Sequence, residues 1–240
     1  MKDIFIADAH LLDPADGNYQ RLLAFLQQQR GTIRHLVMLG DIFEFWLGYR
    51  HSVFAPFVPL LEELRQQRAS GTELIFVEGN HDFHLGPYFS KTLNCRVLPD
   101  GGDLELDGRR VLVVHGDLIN PADRGYRLLR RILRCRLSRL LMTLAPPDLA
   151  WWVARRASHL SNRRKQRRHA YLPEQVLLGF ARERFAEGYD AVLTGHFHLP
   201  LYRQLDGKVL ICLGDWIEQD SYAVFEHGAF ALKRAESPPG

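Results

Sequence analysis

The chain is poor in cysteine and has no long apolar run, and each shortage excludes something. Its three cysteines, Cys95, Cys135 and Cys212, are odd in number, far apart and outside any CxxC pair. That excludes a disulfide scaffold and a thiolate metal site, and reads as reduced thiols in a cytoplasmic protein. No apolar stretch reaches the roughly 18 residues of a membrane-spanning helix. The opening MKDIFIADAH interrupts its short apolar run with Asp3 and Asp8, so it is not expected to act as a secretory signal. No fixed-period repeat or low-complexity tract appears, which excludes solenoid and fibrous classes.

Acidic residues are also scarce in one place. Residues 124–169 hold 14 of the 31 Lys and Arg residues and a single acid, Asp148, a net of +13; the rest of the chain carries −10, and the overall +3 hides the contrast. One segment is therefore built for an anionic partner.

What is present is ordinary for a globular domain: 240 residues, 46% hydrophobic and 25% charged. This composition predicts a single domain over 1–240 with a sizeable core. Short β-branched runs at 3–7, 35–39, 73–77, 110–114 and 191–194 read as strands. Helical spacing fills 19–29, 57–69 and 173–187. The alternation predicts an α/β fold. After residue 190, strands at 199–204, 208–213, 222–225 and 229–232 with tight turns predict an antiparallel edge of hairpins. Between 121 and 169 the strand signal vanishes. Apolar residues at 128, 129, 132, 133, 137, 140, 141 and 144 fall at helical spacing. Pro146-Pro147 interrupt that pattern before Trp151 and Trp152, so 121–169 is expected to be a helical insertion within the domain.

Polar clusters begin within about three residues of the C-terminal ends of five predicted strands, the edge where open α/β sheets bind ligands. Asp8 and His10 follow the first, Asp41 the second, and Asn80, His81 and Asp82 the third. His115 and Asp117 follow the fourth, and His196 and His198 the fifth. Aspartates and histidines with one asparagine offer mixed oxygen and nitrogen ligands, which suit Mn, Fe, Zn or Co. Their number exceeds the needs of one ion, so two ions bridged by a carboxylate are expected. The asparagine then makes sense as a neutral oxygen ligand that keeps the ions electrophilic.

The blocks ADAH at 7–10, GD at 40–41, GNHD at 79–82, HGD at 115–117 and GHFH at 195–198 stand in the order found in the calcineurin-like metallophosphoesterases. The chain resembles that family over residues 4–216. The resemblance implies two packed mixed β-sheets flanked by helices, and two divalent metal ions, expected to be manganese. It implies one metal held by Asp8, His10, Asp41 and His198, and a second by Asp41, Asn80, His115 and His196, with Asp41 as the bridge. It further implies in-line attack of water on phosphorus, with His81 as the catalytic residue that protonates the leaving group or stabilises the transition state, oriented by Asp82.

Finer similarity, in GDIFEFWLG, GNHDFHLG and HGDLINPADRGYRLLRR, is to the UDP-2,3-diacylglucosamine pyrophosphatases of lipid A synthesis. This implies hydrolysis of an acylated nucleotide sugar to UMP and 2,3-diacylglucosamine 1-phosphate, with the 121–169 insertion as a lid over the acyl chains. It places substrate contacts at Asp123 and Tyr126, and by looser matches at Ser161 and Lys165. The best-studied branch has Arg at the position of His81 and an Asp pair at Tyr49-Arg50. Another phosphoesterase, acting on nucleotides or phosphoproteins, is therefore the competing reading. A nuclease or nucleic-acid-binding role is remote, because arginines alternate with leucines and no aromatic stacking platform is interleaved.

The leucine stripe bordered by Arg127, Arg130, Arg131, Arg134 and Arg139 fits a helix on an anionic membrane surface, or a core-facing helix with a solvated arginine side. The first alternative gives the expected location, cytoplasmic and peripheral on the inner membrane. Phe43, Phe45 and Trp46 fit either core packing or contact with substrate. Nothing in the sequence indicates an oligomeric state.

Overall fold

The structure is a computed structural model that describes residues 1–153, 155–156 and 174–236. The β-branched runs pair into two mixed sheets. In the first, β1 (Lys2–Ile6), β2 (Ile33–Met38), β3 (Glu73–Val77) and β4 (Arg96–Leu98) run parallel. In the second, β6 (Arg109–Val114), β7 (Ala191–Thr194) and β9 (Lys208–Leu213) run parallel, with β5 (Gly102–Leu106) and β8 (Pro200–Leu205) antiparallel at the edges. The first sheet is completed by β10 (Ser221–Glu226), antiparallel to β1, and β11 (Ala229–Arg234).

Strand alternation sorts the side chains into layers. Phe5, Val37, Ile75, Val113, Leu193 and Ile211 are buried together between the two sheets. Ile4, Ile6, Leu36 and Phe76 point the other way, against α1 (Gly17–Gln29) and α2 (Val58–Ala69). On the far side of the second sheet, Leu112, Val192 and Leu210 meet Leu177, Ala181 and Phe185 of the helix that runs from Glu174 to Ala186. Central strands buried on both faces explain why their sequences read as unbroken apolar runs. Each such side chain contributes about 1.5–3 kcal/mol by leaving water. The expected two-sheet, helix-flanked α/β architecture is thus present.

The late strands depart from expectation. Their hairpins form, with positive φ at Asp206-Gly207 and His227-Gly228 as the tight turns require. They do not make one antiparallel edge, however. The β8–β9 hairpin extends the second sheet, where β9 lies parallel to β7, whereas β10–β11 extends the first. Strands β4 and β5 were not foreseen; Arg96–Leu98 is too short to carry a pattern, whereas the alternation of acid and leucine in Gly102–Leu106 is a signal that could have found β5.

The basic segment is helical where described. The stripe expected to be continuous to residue 144 breaks into α3 (Arg124–Leu133) and α4 (Arg136–Leu144). Cys135 caps α4, its Sγ accepting from the Ser138 amide at 3.4 Å. Pro147 starts the next helix instead of blocking it, as its missing N–H allows; this α5 covers 147–153 and 155–156, and the Glu174–Ala186 helix is α6.

The orientation of α3 overturns the core-facing alternative. Leu128, Leu129, Ile132, Leu137, Leu140 and Leu141 are each more than half exposed, while the Arg130 and Arg134 side chains turn inward. Phe43 and Trp46 are buried in an aromatic cluster with Phe57 and Phe89, and Phe45 packs edge-on against Trp151, so all three serve packing.

Candidate metal centre

The parallel strands of both sheets end on one rim, and the polar clusters meet there. Asp8 and His10 leave β1, Asp41 leaves β2, Asn80 leaves β3, His115 leaves β6, and His196 and His198 leave β7. Asp8, His10, Asp41, His196 and His198 all have positive φ, between 48° and 72°. Such backbone costs about 1–3 kcal/mol per residue and persists where the surroundings impose it. Here Asp8 donates its N–H to the Gly40 carbonyl and His10 to that of Asp41. The motif glycines are required by close approach. A Cβ on Gly79 would sit 2.3 Å from Asp41 Oδ1, and one on Gly195 would sit 2.6 Å from Asp8 Oδ2.

Of three groups of possible metal-binding side chains among the described residues, two match the expected sets, Asp8, His10 and His198, and Asp41, His115 and His196; the third joins His10 with Glu44 and His81. In the second, His115 Nδ1 faces the Leu39 carbonyl at 2.7 Å. A carbonyl only accepts, so Nδ1 donates there and Nε2 is the nitrogen turned toward the centre. That nitrogen lies 3.0 Å from Asn80 Oδ1, 3.2 Å from His196 Nδ1 and 3.6 Å from Asp41 Oδ2. Burial pushes His196 down to about 3, with the charge of the neighbouring His115 adding to it, so the His196 ring is neutral. Imidazole nitrogens that converge with carboxylate and amide oxygens in this way are a donor set that suits a divalent cation.

In the first group, Asp8 Oδ1 is buried without a hydrogen-bond partner and stands 3.8 Å from His198 Nε2. Asp41 Oδ2 lies 3.8 Å from His10 Nε2 as well as near His115, so it faces both groups. Ligand atoms at about 2.0–2.2 Å from an ion stand at such mutual separations.

Electrostatics points the same way. Burial, then the charge of Asp41, holds the Asp8 carboxyl well above its usual range. Burial opposes the Asp41 carboxylate as well, but His115, His81 and His10 outweigh it and hold that group well below. Bound cations would let both carboxylates ionise side by side. The residues present therefore fit divalent metal, with oxygen and imidazole donors.

The neighbours show which histidine atoms are turned inward. Glu44 Oε2 lies 2.9 Å from His10 Nδ1, and Asp215 Oδ2 lies 3.3 Å from His198 Nδ1. Each carboxylate leaves Nε2 for the centre. Asp215 is itself fixed by the amides of Ile217, Glu218 and Gln219. Sequence reading did not find Glu44.

His81 stands edge-on to His10, with ring centroids 4.7 Å apart. Its expected orientation by Asp82 is corrected. The buried Asp82 carboxylate accepts from the amides of Asp41, Ile42, Phe43 and Gly79, whereas His81 Nδ1 bonds the Glu44 carbonyl at 2.8 Å. Asp82 shapes the loops, because its four amide partners belong to the backbone that carries the ligands.

Of the expected substrate contacts, Tyr126 comes to the centre. Its hydroxyl donates to Asp117 at 2.5 Å and its ring lies 6.4 Å from that of His196. Asp123 caps α3, accepting from the Tyr126 amide at 2.9 Å. Ser161 and Lys165 lie outside the described residues. Arg130, read from the sequence only as part of the arginine border of the stripe, donates to Asp117 at 2.8 Å and to Asp100 at 2.7 Å. Between α3 and the metal loops lies a pocket with Asn80 at one wall and Tyr126, Leu129 and Leu133 at another.

The calcineurin-like phosphoesterase family profile matches residues 1–200. A UDP-2,3-diacylglucosamine hydrolase of Aeromonas salmonicida is 32% identical, with 99% of this chain and 95% of that protein covered. One from Porphyromonas gingivalis is also 32% identical, with 98% of each covered. Among solved structures, an archaeal phosphodiesterase aligns with a TM-score of 0.51 at 13% identity, over 97% of this chain and 99% of that one, a likeness of fold.

Proposed function

The chain belongs to the calcineurin-like phosphoesterase family and is a metal-dependent hydrolase, and we propose that its substrate is UDP-2,3-diacylglucosamine. The products of pyrophosphate cleavage are then UMP and 2,3-diacylglucosamine 1-phosphate. The observation that carries this reading is the leucine face of α3 and α4, exposed beside a pocket that reaches the metal ligand Asn80. An enzyme of small soluble phosphoesters has no need of such a face, whereas one that takes a diacylated substrate from a bilayer does.

Asp8, His10, Asp41 and His198 hold one divalent ion and Asp41, Asn80, His115 and His196 the other, with manganese our first choice. When bound, such ions polarise phosphoryl oxygens and make water a nucleophile near neutral pH. His81 holds a proton on Nε2 and gives it to the leaving phosphate, with Nδ1 anchored on the Glu44 carbonyl. Tyr126 and Asp123 orient the head group, with Ser161 and Lys165 on the continuing segment. The 121–169 insertion acts as the lid over the acyl chains of a single 1–240 domain. Its arginines favour the anionic, cytoplasmic face of the inner membrane. Among the described residues no helix is long and apolar enough to cross a membrane.

The test is to incubate the protein with UDP-2,3-diacylglucosamine and Mn²⁺, with and without chelator, and to measure UMP. Metal-dependent UMP release is expected. Chelator-sensitive cleavage of a simple phosphodiester without UMP release would keep the chemistry and discard this substrate.

A further inference from the structure

We propose that Arg134 is a positioning residue that sets the height of the arginine-rich helices above Asn80, and so the depth of the substrate pocket. Arg134 closes α3 at its C-terminal cap, and its side chain is only 13% exposed. One terminal nitrogen of the guanidinium donates to Glu78 Oε2 at 3.0 Å and to the Pro99 carbonyl at 2.7 Å. The other donates to the Gly79 carbonyl at 2.8 Å, in the peptide whose nitrogen belongs to Asn80. The same guanidinium lies 5.5 Å from the centre of the Phe83 ring.

These acceptors lie on two different loops, one leaving β3 and the other leaving β4. The planar fork of an arginine spans them; the point charge of a lysine cannot meet all three. Arg130, one turn earlier, binds Asp117 and Asp100 from the same side of α3. The helix therefore meets the body through polar bonds at defined points, while its leucines face out. Packed apolar faces tolerate sliding, but a buried guanidinium between three acceptors does not. Removing it leaves Glu78 and two carbonyls without their donor.

The kinetic part of this proposal rests on the acylated substrate assigned above; the structural part does not. The test compares the full chain with Arg134→Ala and Arg134→Lys by amide hydrogen exchange and by bound metal. In Arg134→Ala, exchange over 124–144 is expected to quicken about tenfold or more while 174–186 is unchanged, with Arg134→Lys intermediate. The KM for UDP-2,3-diacylglucosamine is expected to rise about tenfold or more, with kcat lowered less than about threefold and metal retained. Unchanged exchange would overturn the proposal. So would loss of metal with a fall in kcat at constant KM, which would make Arg134 a support of the metal loop alone. If exchange responds but the wild-type chain releases no UMP, the substrate assignment fails and the positioning role stands.

Discussion

At the scale of single residues, the centre is defined by atoms that have no other use. Asp8 Oδ1 is buried without a hydrogen bond, and His115 Nε2 faces other acceptors. His81 stands outside both of these ligand sets, edge-on to His10, with its Nδ1 on the Glu44 carbonyl. His81→Ala is therefore expected to keep both metals by elemental analysis and to lose about 10²-fold or more in turnover. Asp215→Asn is expected to weaken metal binding about 10- to 100-fold, since His198 loses the carboxylate that turns its ring. Unchanged affinity in a metal titration would remove Asp215 from the centre. The candidate ligands were legible in the sequence because each follows a strand end at short spacing. Glu44 was not, because its contact with His10 crosses 34 residues of chain. Asp82 was misplaced for a related reason. Its neighbour in sequence is His81, but its partners in space are amides.

At the scale of elements, α3 and α4 are unusual in direction more than in composition. Periodicity located their apolar stripe, yet Leu and Arg alternate so closely that the stripe could not say which side meets the body. The deciding groups are Glu78, Asp100 and Asp117, acids far away in the chain that draw Arg130 and Arg134 inward. Replacing Leu128, Ile132 and Leu140 together with Glu touches only exposed positions, so stability should change by roughly 0.5 kcal/mol or less per site. Sedimentation with vesicles containing anionic lipid should fall sharply in that variant. Equal sedimentation of variant and wild type would discard the bilayer as the partner of this face.

For the whole molecule, the two-sheet frame followed from apolar runs, whereas the allocation of late hairpins to sheets did not. Hairpin turns fix local pairing, but which sheet receives the pair depends on the chain between Gly214 and Asp220. The frame is tied at its other end by Asp3, fully buried and bonded to Arg34 at 2.6 and 2.8 Å and to His35 at 2.8 Å. Burial alone would raise the Asp3 carboxyl, but the Arg34 and His35 bonds outweigh it and hold it below its ordinary value. A depressed carboxyl stabilises fully above the unfolded value, about 3.9, and the contribution is lost as pH falls through the folded one. Asp3→Asn should therefore cost about 1–3 kcal/mol in urea melts at pH 7. The gap between variant and wild type should close only well into the acid range; a gap independent of pH would mean that the charge of Asp3 is not what matters.

The ligand groups also join the two ends of the chain's history. Each of the two expected groups takes one member from the GHFH block: His198 completes the set begun by Asp8 and His10, and His196 the set begun by Asp41 and His115. A ribosome makes these histidines last. Any fragment that stops before residue 196 lacks a candidate ligand from both groups, so prematurely terminated chains are expected to assemble neither set.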